Sequence, residues 1–180
     1  MAINLVKGQR VDVGLQRICV GLGWEGDADL DASAFMLGAN NQVPSEAGFV
    51  FYHNLESGDK SVIHSGDLKE GGAGDVETIK VDLGKVDVGI EQIIFTVTIY
   101  DFEETGQNFG QVRNSYIRIY DADTNAEVLK YELSEDFSVE TAVEFGRLYK
   151  RNGSWKFEAM GSSTPGGLAG FVKKYATAYS

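Results

Sequence analysis

Short runs of β-branched and aromatic residues recur along the chain between clusters of Gly, Asn and Asp, which is the pattern of packed strands. The runs predict strands over residues 11–13, 17–22, 30–37, 49–52, 78–83, 92–100, 115–120 and 128–133. That is enough for two sheets, so the expected fold is mainly all-β, a two-sheet β-sandwich. Turn chemistry adds a hairpin at Asn152-Gly153, because a type I′ turn needs two positive φ angles and this dipeptide supplies them. Pairing outward from it puts Lys150 opposite Trp155, Leu148 opposite Phe157 and Arg147 opposite Glu158. One face is then apolar and the other carries an opposite-charge pair. A second hairpin is predicted at Asp121-Ala122-Asp123-Thr124-Asn125, whose acids read as turn formers. After Pro165-Gly166-Gly167, the residues Leu168, Phe171, Val172, Tyr175 and Tyr179 recur at helical spacing, with Lys173 and Lys174 placed late enough to favour the helix dipole. A short C-terminal helix covering one sheet edge is expected.

No composition break interrupts the 180 residues, so a single domain spanning 1–180 is expected, long enough for a substantial core. Hydrophobic residues at 43% and charged residues at 24% belong to an ordinary globular chain. Lys and Arg total 16 against 27 Asp and Glu, a net charge of −11 that repels phosphate backbones and argues against nucleic acid as a ligand. The same acidity suits hard cations wherever carboxylates gather. Residues 1–8 lack the basic start and apolar core of a secretory signal, and the apolar stretch 93–100 falls far short of the roughly 20 residues that span a bilayer. A cytoplasmic protein without direct membrane insertion is expected. The lone Cys19, within Ile18-Cys19-Val20, has no partner for an intrachain disulfide and reads as core in a reducing compartment.

In Gly26-Asp27-Ala28-Asp29-Leu30-Asp31-Ala32-Ser33-Ala34-Phe35, three carboxylates alternate with small or apolar residues, so an extended backbone aims Asp27, Asp29 and Asp31 to one side. Held so close they repel one another unless a cation sits among them, and calcium, with six to eight oxygen ligands in flexible geometry, fits best. The alternative is a polar edge strand with an Asp-rich entry turn. An EF-hand is excluded, since its sixth and twelfth positions, counted from Asp27, hold Ala32 and Gly38 instead of Gly and Glu. A second acidic segment, residues 66–77, interleaves Asp67, Glu70, Asp75 and Glu77 with Gly66, Gly71, Gly72 and Gly74. Glycine lets a backbone fold around an ion, although a merely solvated loop has the same composition. His53 and His64 are the only histidines and have no cysteine or further histidine to complete a zinc site, so they read as structural or surface residues. No Ser-His-Asp arrangement, Walker loop or dinucleotide fingerprint is legible. Asp101-Phe102-Glu103-Glu104 offers a carboxylate pair, the one motif from which a small hydrolase could be argued.

Several segments in order carry a resemblance: Gly21-Leu22-Gly23-Trp24, Asp29-Leu30-Asp31-Ala32-Ser33-Ala34-Phe35, Phe51-Tyr52-His53-Asn54-Leu55, His64-Ser65-Gly66-Asp67, Gly106-Gln107-Asn108-Phe109-Gly110-Gln111-Val112-Arg113-Asn114 and Gly166-Gly167-Leu168-Ala169-Gly170. Together they resemble the TerD family of tellurite-resistance and stress-response proteins over nearly the whole chain. The resemblance implies a calcium-binding β-sandwich of the bacterial cytoplasm, not an enzyme. It also implies that the protein works with other proteins of a system that protects against tellurite, some phages and pore-forming colicins. Position by position, the family's acidic motif falls on Asp27, Asp29 and Asp31, and its Gly- and Asp-rich loop on Asp67, Gly71, Asp75 and Glu77. Asn54 and Asp101 match as well.

The chain also departs from the family pattern. It has Gly66-Asp67-Leu68 where the family has Gly-Asp-Asn, and Gly74-Asp75-Val76-Glu77 where the family has Gly-Asp-Asp-Glu, within a shorter loop. The longer insertion that usually follows the Trp is replaced by Glu25-Gly26. Two oxygen ligands are thereby lost, which implies weaker calcium binding, or one Ca2+ ion where typical members hold two. Two other classes stay open at this point: a calcium-dependent lipid- or sugar-binding sandwich, motivated by the same acids, and a hydrolase using Asp101 and Glu103.

Overall fold

A computed structural model describes residues 3–25, 30–65, 77–99, 104, 106, 109, 113–133, 141–163 and 166–179. In chain order the strands are β1 (Ile3–Leu5), β2 (Arg10–Asp12), β3 (Arg17–Glu25), β4 (Leu30–Leu37), β5 (Phe49–Val50), β6 (Val62–His64), β7 (Glu77–Asp82), β8 (Gln92–Ile99), β9 (Arg113–Asp121), β10 (Glu127–Glu132), β11 (Ala142–Arg151) and β12 (Ser154–Ser163). The helix α1 (Gly167–Tyr175) follows. The strands form two six-stranded sheets, ordered β1-β10-β9-β3-β7-β6 and β2-β12-β11-β8-β4-β5. Every pairing is antiparallel except that of β1 with β10.

The core lies between the sheets because each strand turns alternate apolar residues inward. Ile18, Val20 and Leu22 of β3 and Ile79 and Val81 of β7 meet Ala32 and Ala34 of β4 and Phe95 and Val97 of β8. The predicted hairpins are both present. Asn152 and Gly153 take φ of 54° and 78°, and the ladder pairs Leu148 with Phe157, Arg147 with Glu158 and Lys150 with Trp155. Arg147 Nε donates to Glu158 at 2.7 Å. Burial alone would raise the Glu158 pKa, but hydrogen bonds from Arg147 and Arg10 outweigh it and hold the carboxyl below its ordinary value. In the other hairpin Asp121 accepts the Asp123 N–H at 2.8 Å, so this acid is a turn former.

Three expectations are corrected. β1 and β6 have no counterpart in the sequence reading, and the strand expected over residues 49–52 stops at Val50, after which Phe51 bridges only to Asn54 in a tight turn. The helix does not cover an edge. Phe171 and Tyr175 pack on Phe35, Leu37, Ile94 and Ala142, so α1 lies over the outer face of the second sheet across its central strands. That is why β4 is buried at every position, on both faces. Among the described residues no helix is long and apolar enough to cross a membrane. One glycine of the Gly21-Leu22-Gly23-Trp24 run has a steric reason: a Cβ at Gly23 would lie 2.3 Å from the ring of Tyr116 on β9.

A buried carboxylate fastens the helix. Glu144 of β11 accepts hydrogen bonds from the Tyr175 hydroxyl and from Lys174 Nζ, the latter at 2.9 Å. Burial, then the bond to Glu144 and its charge, hold the Tyr175 phenol protonated well above its ordinary pKa of 10.0, against a smaller opposing pull from Arg147. Above that ordinary pKa the unfolded chain releases this proton while the folded chain keeps it. The stabilisation is therefore complete below pH 10 and falls as pH rises beyond it. Tyr175→Phe is expected to cost about 1–2 kcal/mol near neutrality and to flatten the loss of stability above pH 10, which denaturant melts across the alkaline range will read.

Candidate functional site

Strand register decides which loops are neighbours. Leu30 at the start of β4 pairs with Ile99 at the end of β8, Ala142 at the start of β11 pairs with Thr98, and Leu22 near the end of β3 pairs with Glu77 at the start of β7. The strand ends from which residues 26–29, 66–76 and 100–112 depart therefore lie at one end of the sandwich. The opposite end carries the Asp121–Asn125 and Asn152-Gly153 turns. Of the candidate ligands, Asp27, Asp29, Asp67, Gly71, Asp75 and Asp101 lie outside the described residues. Asp31, Asn54 and Glu77 can be placed.

Asp31 is the second residue of β4 and only 8% exposed. Since Leu30, Ala32 and Ala34 face the core, strand alternation turns Asp31 to the outer face of the second sheet, on the side of Phe35 and α1. Glu77 is the first residue of β7 and does not belong to the loop before it. It shares the inward side of Ile79 and Val81, is 2% exposed, and reaches across to the other sheet, where its Oε2 accepts the Ala32 N–H at 2.6 Å. His64 of β6 is buried as well, and its Nε2 lies 3.0 Å from Ala32 O and 3.6 Å from Glu77 Oε2.

The reason for this arrangement is the shortness of β5. It pairs with β4 only at Ala34 and Phe35, which leaves the Ala32 N–H and C=O without a neighbouring strand. His64 and Glu77 supply the missing partners from the other sheet, so a buried donor and acceptor are satisfied and the two sheets are tied together. Asn54 also acts locally, closing the turn after β5, since its Nδ2 donates to Phe49 O at 2.8 Å and its C=O accepts the Phe51 N–H. The structure thus does not gather Asp31, Asn54 and Glu77 around one point. Among the described residues no three His, Cys, Asp or Glu side chains form a group able to hold a metal.

Sequence reasoning read His64 as a structural or surface residue without finding its partners, and it missed the anchoring role of Glu144. The signal for the first was a Val62-Ile63-His64 run that places His64 on the same side as Val62. The signal for the second was one acid inside the otherwise apolar Ala142-Val143-Glu144-Phe145. In chemical terms the candidate donors are carboxylates with backbone and amide oxygens, a hard all-oxygen set of the kind calcium takes.

Comparison with known proteins agrees with the architecture. The TerD domain matches residues 1–175. General stress protein 16U of Bacillus subtilis is 47% identical, with 97% of each chain covered. The tellurium resistance protein TerD of Serratia marcescens is 44% identical, again over 97% of each. A solved homologue of telluride resistance protein TerD from Streptomyces coelicolor A3(2) superposes with a TM-score of 0.67 at 21% identity, covering 87% of this chain and 94% of that one. At that identity the superposition establishes the shared fold. By sequence over nearly its whole length and by fold, this chain belongs to the TerD family of tellurium-resistance and stress-response proteins.

Proposed function

We infer that the protein is a non-catalytic, calcium-binding component of a cytoplasmic bacterial stress response, in which the ion orders acidic loops that shape a surface for other proteins of the same system. The observation that carries this reading is the register. The segments bearing Asp27 and Asp29, Asp67, Gly71 and Asp75, and Asp101 are all attached to one end of the sandwich, next to Asp31. Eight of the 27 acidic residues fall in these three segments, residues 26–29, 66–76 and 100–112, a charge density that a divalent cation relieves. The names of the relatives, general stress and tellurium resistance, support the biological setting.

In this reading Asp27, Asp29 and Asp31 are the principal ligands, with Asp31 on the outer side of β4. Glu77 and Asn54 support the frame that presents them. Glu77 can add only Oε1, the oxygen that takes no part in its bonds to Ala32 and His64. With the altered loop of residues 66–76, one ion or two weak ones are expected.

Calcium at a hundred times its dissociation constant adds about 2.7 kcal/mol to the folded state. For a chain of this length that raises the Tm by roughly 5 to 10 °C, reversed by chelator. A melting temperature indifferent to both calcium and chelator counts against the reading.

A further inference from the structure

Across the outer face of the second sheet, polar side chains stand in line beneath α1. Ser33 of β4 is paired with Thr96 of β8, and Thr96 with Glu144 of β11, so three adjacent strands put a hydroxyl, a hydroxyl and a carboxylate at one level. The next level toward the acidic end pairs Asp31 with Thr98. Ser33 and Thr96 are 0% exposed, and Glu144 and Thr98 are buried with them. Yet among the described residues Ser33 Oγ and Thr96 Oγ1 have no hydrogen-bond partner, nor do they bond each other, although directly opposed Ser and Thr commonly do. Two orphaned hydroxyls side by side are unusual in a folded interior, where buried polar atoms find a partner in protein or ordered water.

The geometry points to an internal water site between Ser33 Oγ and Thr96 Oγ1, at the foot of the Glu144 anchor that holds α1. Both hydroxyls can donate and accept, so one water between opposed strands satisfies both and keeps two further bonds for its surroundings. Water fits this row better than a cation. Glu144 is already matched by the Lys174 ammonium at 2.9 Å and by the Tyr175 hydroxyl, and that ammonium repels a second positive charge. Through this site β4, the strand that carries Asp31, is joined to β8, the neighbour of the strand that anchors the helix. The polar row thereby connects the acidic end of the sandwich to its C-terminal cover.

Thr96→Val and Ser33→Ala, singly and together, decide the matter, because Val keeps the shape and strand preference of Thr. If a water is bound, each single change removes one of its supports and lowers the Tm by about 3 °C. The double variant then falls little further, since the site is already lost in either single. If the row is dry, Thr96→Val removes an unpaired hydroxyl, the Tm stays level or rises, and the two changes add; that result overturns the proposal. A difference between wild type and Thr96→Val that changes on exchanging sodium, potassium or calcium in the buffer also overturns it, in favour of a cation. Should Thr96→Val fail to fold, Ser33→Ala with Ser33→Thr, which restores a hydroxyl, gives the same comparison.

Discussion

Glu77→Ala is expected to destabilise the calcium-free protein by about 3 kcal/mol, because it leaves the Ala32 N–H buried without an acceptor, strips His64 of its carboxylate neighbour and opens a void between the sheets. Glu77→Gln keeps an acceptor oxygen for Ala32, and its cost should be nearer 1 kcal/mol, by about the value of one neutral hydrogen bond. Urea unfolding in the presence of chelator isolates this structural contribution from any metal effect. Should Glu77→Ala leave stability in chelator intact and weaken only calcium binding, Glu77 is a ligand and not a tie between sheets.

Calcium affinity should respond unequally to the two acidic segments. Asp29→Ala removes a carboxylate from the alternating motif and is expected to weaken binding about 100-fold, equivalent to about 2.7 kcal/mol. Asp67→Ala lies in the loop that has Leu68 and Val76 where the family pattern has Asn and Asp, and its effect should stay below about tenfold. Titrations of the two variants beside wild type check the asymmetry. Equal losses would restore the loop of residues 66–76 to full ligand status.

Much of the fold was written locally. The Asn152-Gly153 hairpin could be read to the residue, because the turn type fixes the register and the register sorts apolar from charged residues. The bounds of β4 were readable too, from a run of apolar and small residues interrupted only by Asp31. β1 and β6 were not, since these two three-residue strands are too short to carry a clear pattern and are defined by pairing with Leu129–Tyr131 and Ile79–Val81. The placement of α1 failed for a related reason. Its apolar stripe announced that it must be covered, but the surface receiving it is made by Phe35, Ile94 and Ala142, distant in sequence.

The candidate site divides in the same way. Alternating Asp residues are legible as a pattern, and the family likeness added Asn54 and Asp101. The tie that Glu77 makes between the sheets is not legible, because it depends on β5 being too short to cover Ala32, which is separated from Glu77 by 45 residues. His64 is a similar case, 32 residues from the backbone it supports. Both residues secure the edge of the strand that presents Asp31, so the placement of Asp31 rests partly on groups that need never touch an ion.

Calorimetric titration of calcium into chelator-stripped wild-type protein tests the central claim most directly. A saturable heat corresponding to one or two ions per chain, lost in Asp29→Ala, is the predicted result. Absence of any binding heat up to millimolar calcium, with no metal retained by the purified protein, would contradict it.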